Sequence, residues 1–140
     1  MATMSFQEIT IPRKITNQLL HQAQISPDEE ICGLIGGKNG IPCHCYPVDN
    51  IAEHPERQFL LDPKQQIATL AKLRDCNEDL IAIYHSHPNA PATPSQSDID
   101  MACYPDALYL IISLNTKGVL ELRCFKLNDQ TFIELPLVLE

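Results

Sequence analysis

The spacing of apolar residues along the chain predicts three helices interspersed among several strands. Apolar residues three and four positions apart predict helices over residues 14–25 and 63–74, and turn-rich sequence precedes a shorter predicted helix over 95–103. Alternating or continuous apolar runs predict strands over 5–12, 30–37, 41–48, 79–87, 107–114, 119–127 and 131–138, with a shorter extended piece over 57–61. The turn formers at 38–40 and 115–118 predict that the runs on either side of each turn form hairpins.

This order of elements predicts a mixed α/β (α+β) domain with one curved, mostly antiparallel sheet flanked by helices. The chain has 140 residues, with neither repeats nor a linker-like tract, so we expect a single domain over 1–140. Apolar residues make up 44% and charged residues 20%, which is ordinary globular usage and argues against disorder.

Charge and cysteine content narrow the functional classes. Ten Lys and Arg face eighteen Asp and Glu, and a net charge of -8 without a basic run argues against nucleic acid or an anionic membrane as partner. The start lacks a basic and apolar leader, and no apolar stretch approaches the ~18 residues that span a bilayer, so we expect a soluble cytoplasmic protein.

The six cysteines of such a protein should be free thiols, mostly packed as small hydrophobes. Cys43 and Cys45 share a strand face, but without a second pair they indicate core or surface thiols rather than a metal site.

The candidate chemistry lies at the end of the strand over 79–87. His85 and His87 are two positions apart, so both imidazoles project from the same face and can converge on one ion. A catalytic zinc site needs a third ligand and leaves one position to water. Asp98, in the first turn of the short helix, can supply a carboxylate, and Ser95 lies on the same helix face.

Two alternatives stand beside this interpretation. Ser95 followed three residues later by Asp98 also fits a helix capping box, which is more common than a metal site when it occurs alone. A proton acceptor is also required for attack on an amide. Glu30 at the head of a glycine-containing strand is a candidate, and spacing alone allows Glu29 equally.

These residues closely resemble the signature of the JAMM (MPN-plus) metalloproteases: an upstream Glu, then His-x-His-x7-Ser-x-x-Asp. Every position is filled here, by Glu30, His85, His87, Ser95 and Asp98. The chain length and element order resemble the small bacterial members that cleave ubiquitin-like sulfur-carrier proteins near a Gly-Gly end. The resemblance therefore implies a JAB/MPN-like fold and a zinc-dependent (iso)peptidase acting on a carrier protein with a Gly-Gly C-terminus, as in cysteine or sulfur-cofactor biosynthesis.

Carried over by position, the resemblance implies that His85, His87 and Asp98 bind Zn²⁺. It implies that Glu30 is the general acid/base, rather than Glu29, because the family's acid stands three positions before the glycine matched here by Gly33. Ser95 would donate a hydrogen bond to the developing oxyanion.

Three other functions compete with this one. Zinc deaminases require His-x-Glu and Pro-Cys-x-x-Cys motifs that the chain lacks. The DNA-associated RadC type of the same superfamily has a similar histidine motif, but Glu30, Gly33 and the net charge argue against it. A non-catalytic, metal-stabilised MPN-type binding module remains the alternative, and the complete signature disfavours it.

Overall fold

The computed structural model describes residues 8–115 and 119–140. The described residues form β1 (Ile9–Ile11), α1 (Arg13–Gln24), β2 (Cys32–Lys38), β3 (Ile41–Val48), α2 (Pro63–Asp75), β4 (Asp79–His87), α3 (Gln96–Met101), β5 (Leu108–Ser113), β6 (Glu121–Asn128), β7 (Thr131–Leu135) and β8 (Leu137–Leu139). No helix within these residues is long and apolar enough to cross a membrane.

Six strands form one sheet in the order β3-β2-β4-β5-β6-β7, and β1 pairs with β8 in a separate parallel ribbon. Within the large sheet, only the β4–β5 pair is parallel. The predicted mixed α+β class with a mostly antiparallel sheet is therefore confirmed.

The sheet is covered on both faces. Ile15 and Leu19 of α1 pack on one face, while Leu70 of α2 packs against the cluster on the other. Burial on both faces explains why the central strands read as continuous apolar runs. Along β4 the side chains alternate between the two clusters, with Tyr84 on the α1 side and Ile83 on the α2 side. The period of two then places His85 and His87 on the α2 side.

Local sequence explains the turn between β2 and β3. Asn39 and Gly40 both have positive φ, 55° and 76°, as a two-residue hairpin turn of the favoured type requires. In β2, a Cβ atom on Gly33 would lie 2.5 Å from the carbonyl oxygen of Tyr46. Only glycine lets the neighbouring strand come this close.

The structure differs from the prediction in one extended piece and one strand. Residues 57–61 contain no strand, and only Leu61 forms an isolated bridge, to Asn50. The predicted strand over 131–138 is divided at Pro136, which has no N–H to donate, and its second part leaves the large sheet to pair with β1.

Two further predictions fall partly outside the described residues. Of the strand predicted over 5–12, residues 5–7 lie outside them, and the observed strand is Ile9–Ile11. Residues 116–118 of the predicted turn at 115–118 also lie outside them, but β5 and β6 on either side pair antiparallel, as the predicted hairpin requires.

All six cysteines are free, as expected, but their burial is less uniform than predicted. Cys32 and Cys124 are buried in the core, whereas Cys76 and Cys103 are exposed. Cys76 directly follows α2, and Cys103 lies two residues after the end of α3. Segments that leave the end of a helix run over the protein surface, which explains why both cysteines are exposed.

Candidate active site

The end of β4 brings two imidazoles together. The Nε2 atoms of His85 and His87 lie 3.1 Å apart, and both side chains are almost completely buried. Asp98 of α3 meets them: its Oδ2 atom is 3.1 Å from Nε2 of His85 and 3.0 Å from Nε2 of His87. Three ligand-type atoms thus form a nearly equilateral triangle beneath the protein surface.

The start of α3 fixes the position of Asp98. The Ser95 hydroxyl oxygen accepts a hydrogen bond from the backbone N–H of Asp98 at 3.0 Å. In return, the N–H of Ser95 donates to Oδ2 of Asp98 at 2.9 Å. The capping box is therefore present, and the same carboxylate oxygen also faces the two histidines. The structural and the metal-binding interpretations of these two residues are compatible.

The triangle of donor atoms fits a zinc ion. Bonds of about 2.0–2.1 Å to tetrahedrally arranged nitrogen and oxygen ligands place those ligands about 3.3–3.4 Å apart. The observed edges of 3.0–3.1 Å are close to this value. Two imidazole nitrogens and one carboxylate oxygen are also the donor set of an open catalytic zinc site. His85, His87 and Asp98 could therefore hold the ion with little movement.

Contacts behind the histidines orient their rings. The Nδ1 atom of His87 lies 2.7 Å from the carbonyl oxygen of Pro91, to which it can only donate, so Nε2 is left with its lone pair when the ring is neutral. The His85 ring stacks on Phe59, with centroids 4.3 Å apart and planes 19° from parallel. Phe59 thus holds the His85 ring in the direction that aims Nε2 at the other two donors.

Glu30 completes the group. One atom each from Glu30, His85, His87 and Asp98 lies within 4.8 Å of the others, and all four residues are buried. The Oε1 atom of Glu30 has no hydrogen-bond partner among the described residues. Glu29 is exposed, so burial separates the two acids that spacing alone left open. This buried carboxyl group faces the three possible metal-ligand atoms, and its Oε1 atom lacks a hydrogen-bond partner. It is therefore suited to interact with a bound ion or its water.

Burial shapes the electrostatics of the site. Desolvation raises the pKa of Glu30 from 4.5 to about 7, although the nearby His87 lowers it. Burial would also raise the pKa of Asp98, but hydrogen bonds from His85 and His87 outweigh burial and hold that pKa well below its usual range. Burial lowers the pKa of His85. Desolvation acts in the same direction on His87, where hydrogen bonds to Asp98 and Pro91 prevail and raise the pKa. Without a metal ion, a proton on His87 is thus paired with Asp98.

Two contacts near the site were not anticipated from the sequence. Ser86, for which the sequence suggests no role, accepts the N–H of Ile31 with its hydroxyl at 2.9 Å and donates its own N–H to the carbonyl of Ile31 at 3.0 Å. This clamp fixes the residue next to Glu30 against β4. Phe59 lies in the predicted extended piece over 57–61, and the pattern of that piece does not predict its contact with the ring of His85.

An apolar cavity of about 130 Å³ adjoins Asp98. It lies between the segment after β3, the start of α2 and the segment that follows α3. The lining residues are Phe59, Leu60, Leu61, Gln66, Ile83, Asp98, Met101, Ala102, Cys103, Tyr104 and Tyr109. An apolar space that reaches a candidate metal ligand offers room for part of a substrate.

Comparison with known proteins places this site in a family. Residues 12–127 match the family described as prokaryotic homologs of the JAB domain. The chain is 33% identical over 89 residues to a desampylase from Haloferax volcanii, a match that covers 62% of this chain and 64% of the desampylase. It is 30% identical over 130 residues to the CysO-cysteine peptidase of Mycobacterium tuberculosis, covering 91% and 88% of the two chains.

A solved structure shares the fold of nearly the whole chain. Protein DSY2949 from Desulfitobacterium hafniense superposes with a TM-score of 0.84 and 29% sequence identity, covering 96% of this chain and 93% of that one. The family match spans the four residues of the buried group, Glu30, His85, His87 and Asp98. The resemblance to the JAMM metalloproteases is therefore confirmed at the level of the family, and the chain belongs to the prokaryotic homologs of the JAB domain.

Proposed function

We propose that this protein is a zinc-dependent (iso)peptidase that hydrolyses the amide bond after the Gly-Gly end of a ubiquitin-like sulfur-carrier protein. The observation that carries the proposal is the buried group in which the unpartnered carboxyl of Glu30 faces the donor atoms of His85, His87 and Asp98. The names of the relatives support a peptidase, since one is a desampylase and another a CysO-cysteine peptidase. The net charge of -8 disfavours nucleic acid as substrate, and we expect the protein to act in the cytoplasm.

His85, His87 and Asp98 would hold the ion. When bound, zinc supplies a Lewis acid for the scissile carbonyl and makes water acidic enough to react at neutral pH. The hydrogen bond from His87 to Pro91 and the stacking of Phe59 on His85 would keep both imidazoles in the orientation that binds the ion. Pre-orientation of this kind reduces the reorganisation that binding and turnover require.

Glu30 would move the proton. In its ionised form it accepts a proton from the attacking water, and it then delivers this proton to the departing amine. In the metal-free protein burial raises its pKa to about 7, and a bound zinc ion would lower it again, so that the carboxyl is ionised and able to accept the proton near neutral pH. A positioned acid/base of this type typically contributes about 10²–10⁴-fold in rate.

Ser95 would stabilise the oxyanion. Its hydroxyl oxygen accepts the N–H of Asp98, which leaves the hydroxyl proton free to donate. A donor directed at the developing charge is worth about 3–4 kcal/mol where such groups have been removed from other enzymes. The capping bonds of α3 keep this hydroxyl beside the metal ligand.

The substrate tail would reach the site in an extended conformation. A Gly-Gly end has no side chains, so it can pass through a narrow opening to the buried group. The apolar cavity beside Asp98 can receive an apolar side chain of the carrier or of the released group. The acidic surface favours encounter with a carrier that presents a basic face.

Incubation with Gly-Gly-ended carriers that bear C-terminal extensions tests this proposal, with mass spectrometry as the readout. The expected result is release of the extension, which a chelator abolishes and added zinc restores. Glu30→Gln should retain the metal and lose hydrolysis, whereas His85→Ala should lose both. Glu29→Gln is the matched control, because its carboxyl is exposed. Metal binding without turnover on any carrier would instead support the non-catalytic binding module.

A further inference from the structure

Asn50 uses the full hydrogen-bonding capacity of its side chain beside the active site. Its Nδ2 atom donates to the carbonyl oxygens of Glu30 at 3.0 Å and Gln58 at 2.8 Å. Its Oδ1 atom accepts the backbone N–H groups of Ala52 at 2.9 Å and Leu60 at 3.0 Å. An amide side chain has two donor hydrogens and two acceptor lone pairs, so all four are satisfied here.

These bonds close the loop formed by residues 51–60, hereafter the 51–60 loop. The N–H of Ile51 also donates to the carbonyl of Leu60 at 2.9 Å, so the two ends of the loop are paired directly. A closed loop that is tied internally by one side chain behaves as a compact unit rather than as a flexible connection. Asn50 thereby supplies bonds that a neighbouring strand would otherwise have to provide.

The loop touches the active site at two points. The N–H of Glu30 donates to the carbonyl of Pro55 in this loop at 2.7 Å, and the carbonyl of Glu30 accepts from Asn50. Both main-chain polar groups of Glu30 are therefore held by this unit. Phe59, between two residues that Asn50 binds, stacks on His85. One side chain thus connects the backbone of the proposed acid/base to the ring packed on a proposed metal ligand.

We propose that Asn50 is a positioning residue that sets the orientation of Glu30 relative to the metal ligands. The inference rests on the proposed function, since Glu30 must be the proton carrier for its orientation to affect turnover. Asn50 itself contacts the main chain of Glu30 and not its carboxyl group. Its effect should therefore fall on kcat rather than on substrate affinity, because displacement by about 1 Å of a reacting group can cost about a hundredfold in rate.

Two variants separate the contacts. Asn50→Ala removes all four hydrogen bonds. Asn50→Asp keeps the acceptors for Ala52 and Leu60 but places a carboxylate oxygen against the carbonyls of Glu30 and Gln58. Gln65→Ala is the control, because the Gln65 amide also bonds the backbone of a distant residue, Asp49, together with its side chain, and among the described residues it makes no hydrogen bond to the buried group.

For both Asn50 variants, kcat on an extended Gly-Gly carrier at saturating zinc should fall at least about tenfold, with KM within about twofold of the parent. Gln65→Ala should retain the parent kcat. Activity is measured at a temperature where urea titration shows each variant to be fully folded, so that a loss of folded protein is not mistaken for a loss of rate. A parent-like kcat in folded Asn50→Ala at saturating zinc would overturn the inference, as would a rise in KM that accounts for the whole loss in kcat/KM.

Amide hydrogen exchange of the zinc-loaded protein gives a readout that does not depend on activity. Exchange at Glu30 should accelerate at least about tenfold in both variants, whereas exchange at Leu60 should accelerate only in Asn50→Ala. Unchanged exchange at Glu30 would also contradict the inference. If the parent itself cleaves no carrier, the proposed function fails, and exchange at Glu30 still decides whether Asn50 holds that residue.

Discussion

Replacing Glu30 by glutamine should stabilise the metal-free protein at alkaline pH while abolishing its activity. Glu30 is only 4% exposed, and its Oε1 atom has no hydrogen-bond partner among the described residues. Ionising such a group costs free energy that a neutral amide of similar shape does not incur. Stability and catalysis are therefore expected to change in opposite directions at this position.

The size of the effect follows from the pKa. Burial raises the pKa of Glu30 from 4.5 to about 7, so between these two values the folded protein retains a proton that the unfolded chain has released. Stability accordingly falls as the pH rises through this interval and levels off above the folded-state pKa. At 1.36 kcal/mol per pKa unit the full difference is about 3 kcal/mol, and partial hydration of the site reduces our expectation to about 2 kcal/mol.

Urea unfolding in the presence of a chelator measures this difference. At about pH 8, Glu30→Gln should be about 2 kcal/mol more stable than the parent, and at about pH 4 the difference should shrink to a few tenths. His87 titrates in both proteins, and because the charge of Glu30 is the smallest of the influences on the pKa of His87, most of its contribution cancels from the comparison. Glu29→Gln, which alters an exposed carboxyl, should follow the parent at both pH values. A Glu30→Gln protein that is less stable than the parent at about pH 8 would refute the argument.

Three further predictions concern the same site. Ser95→Gly should lower kcat about 10²–10³-fold while costing only a few tenths of a kcal/mol in urea unfolding, because glycine is tolerated as a helix cap; an unchanged kcat would assign the hydroxyl to capping alone. Zinc affinity, followed by titration, should weaken as the pH falls, since a proton on His87, whose pKa is raised, competes with the ion; a pH-independent affinity between about pH 5 and 8 would contradict this. Phe59→Ala should raise the zinc dissociation constant about tenfold by freeing the His85 ring, and an unchanged constant would show that the stacking does not orient the ligand.

Periodicity and turn chemistry predicted most of the fold. The hairpin at Asn39 and Gly40 follows from local conformational preference, and the central strands follow from their burial on both faces. The pairing of β8 with β1 was not predictable in this way, because it joins the two ends of the chain and depends on contacts that no local pattern encodes.

The segment over 57–61 shows why a local pattern can mislead. Its apolar residues suggest an extended piece, yet the carbonyl of Gln58 and the N–H of Leu60 bond to the side chain of Asn50 rather than to a neighbouring strand. Its apolar side chains instead serve the site: Phe59 stacks on His85, and Leu60 lines the adjoining cavity. A single asparagine that replaces a strand's hydrogen bonds has no periodic signature.

The four residues of the buried group were all named from the sequence, and the structure brings them together, while their catalytic roles remain predictions. Their spacing alone also described a capping box, and the structure contains one. The two interpretations share an atom: Oδ2 of Asp98 accepts from the N–H of Ser95 and faces both histidines. The cap does more than stabilise the start of α3, because it also fixes the carboxylate that contacts the two imidazoles. A short helix whose first turn is locked in this way can hold a metal ligand in place without a long element behind it.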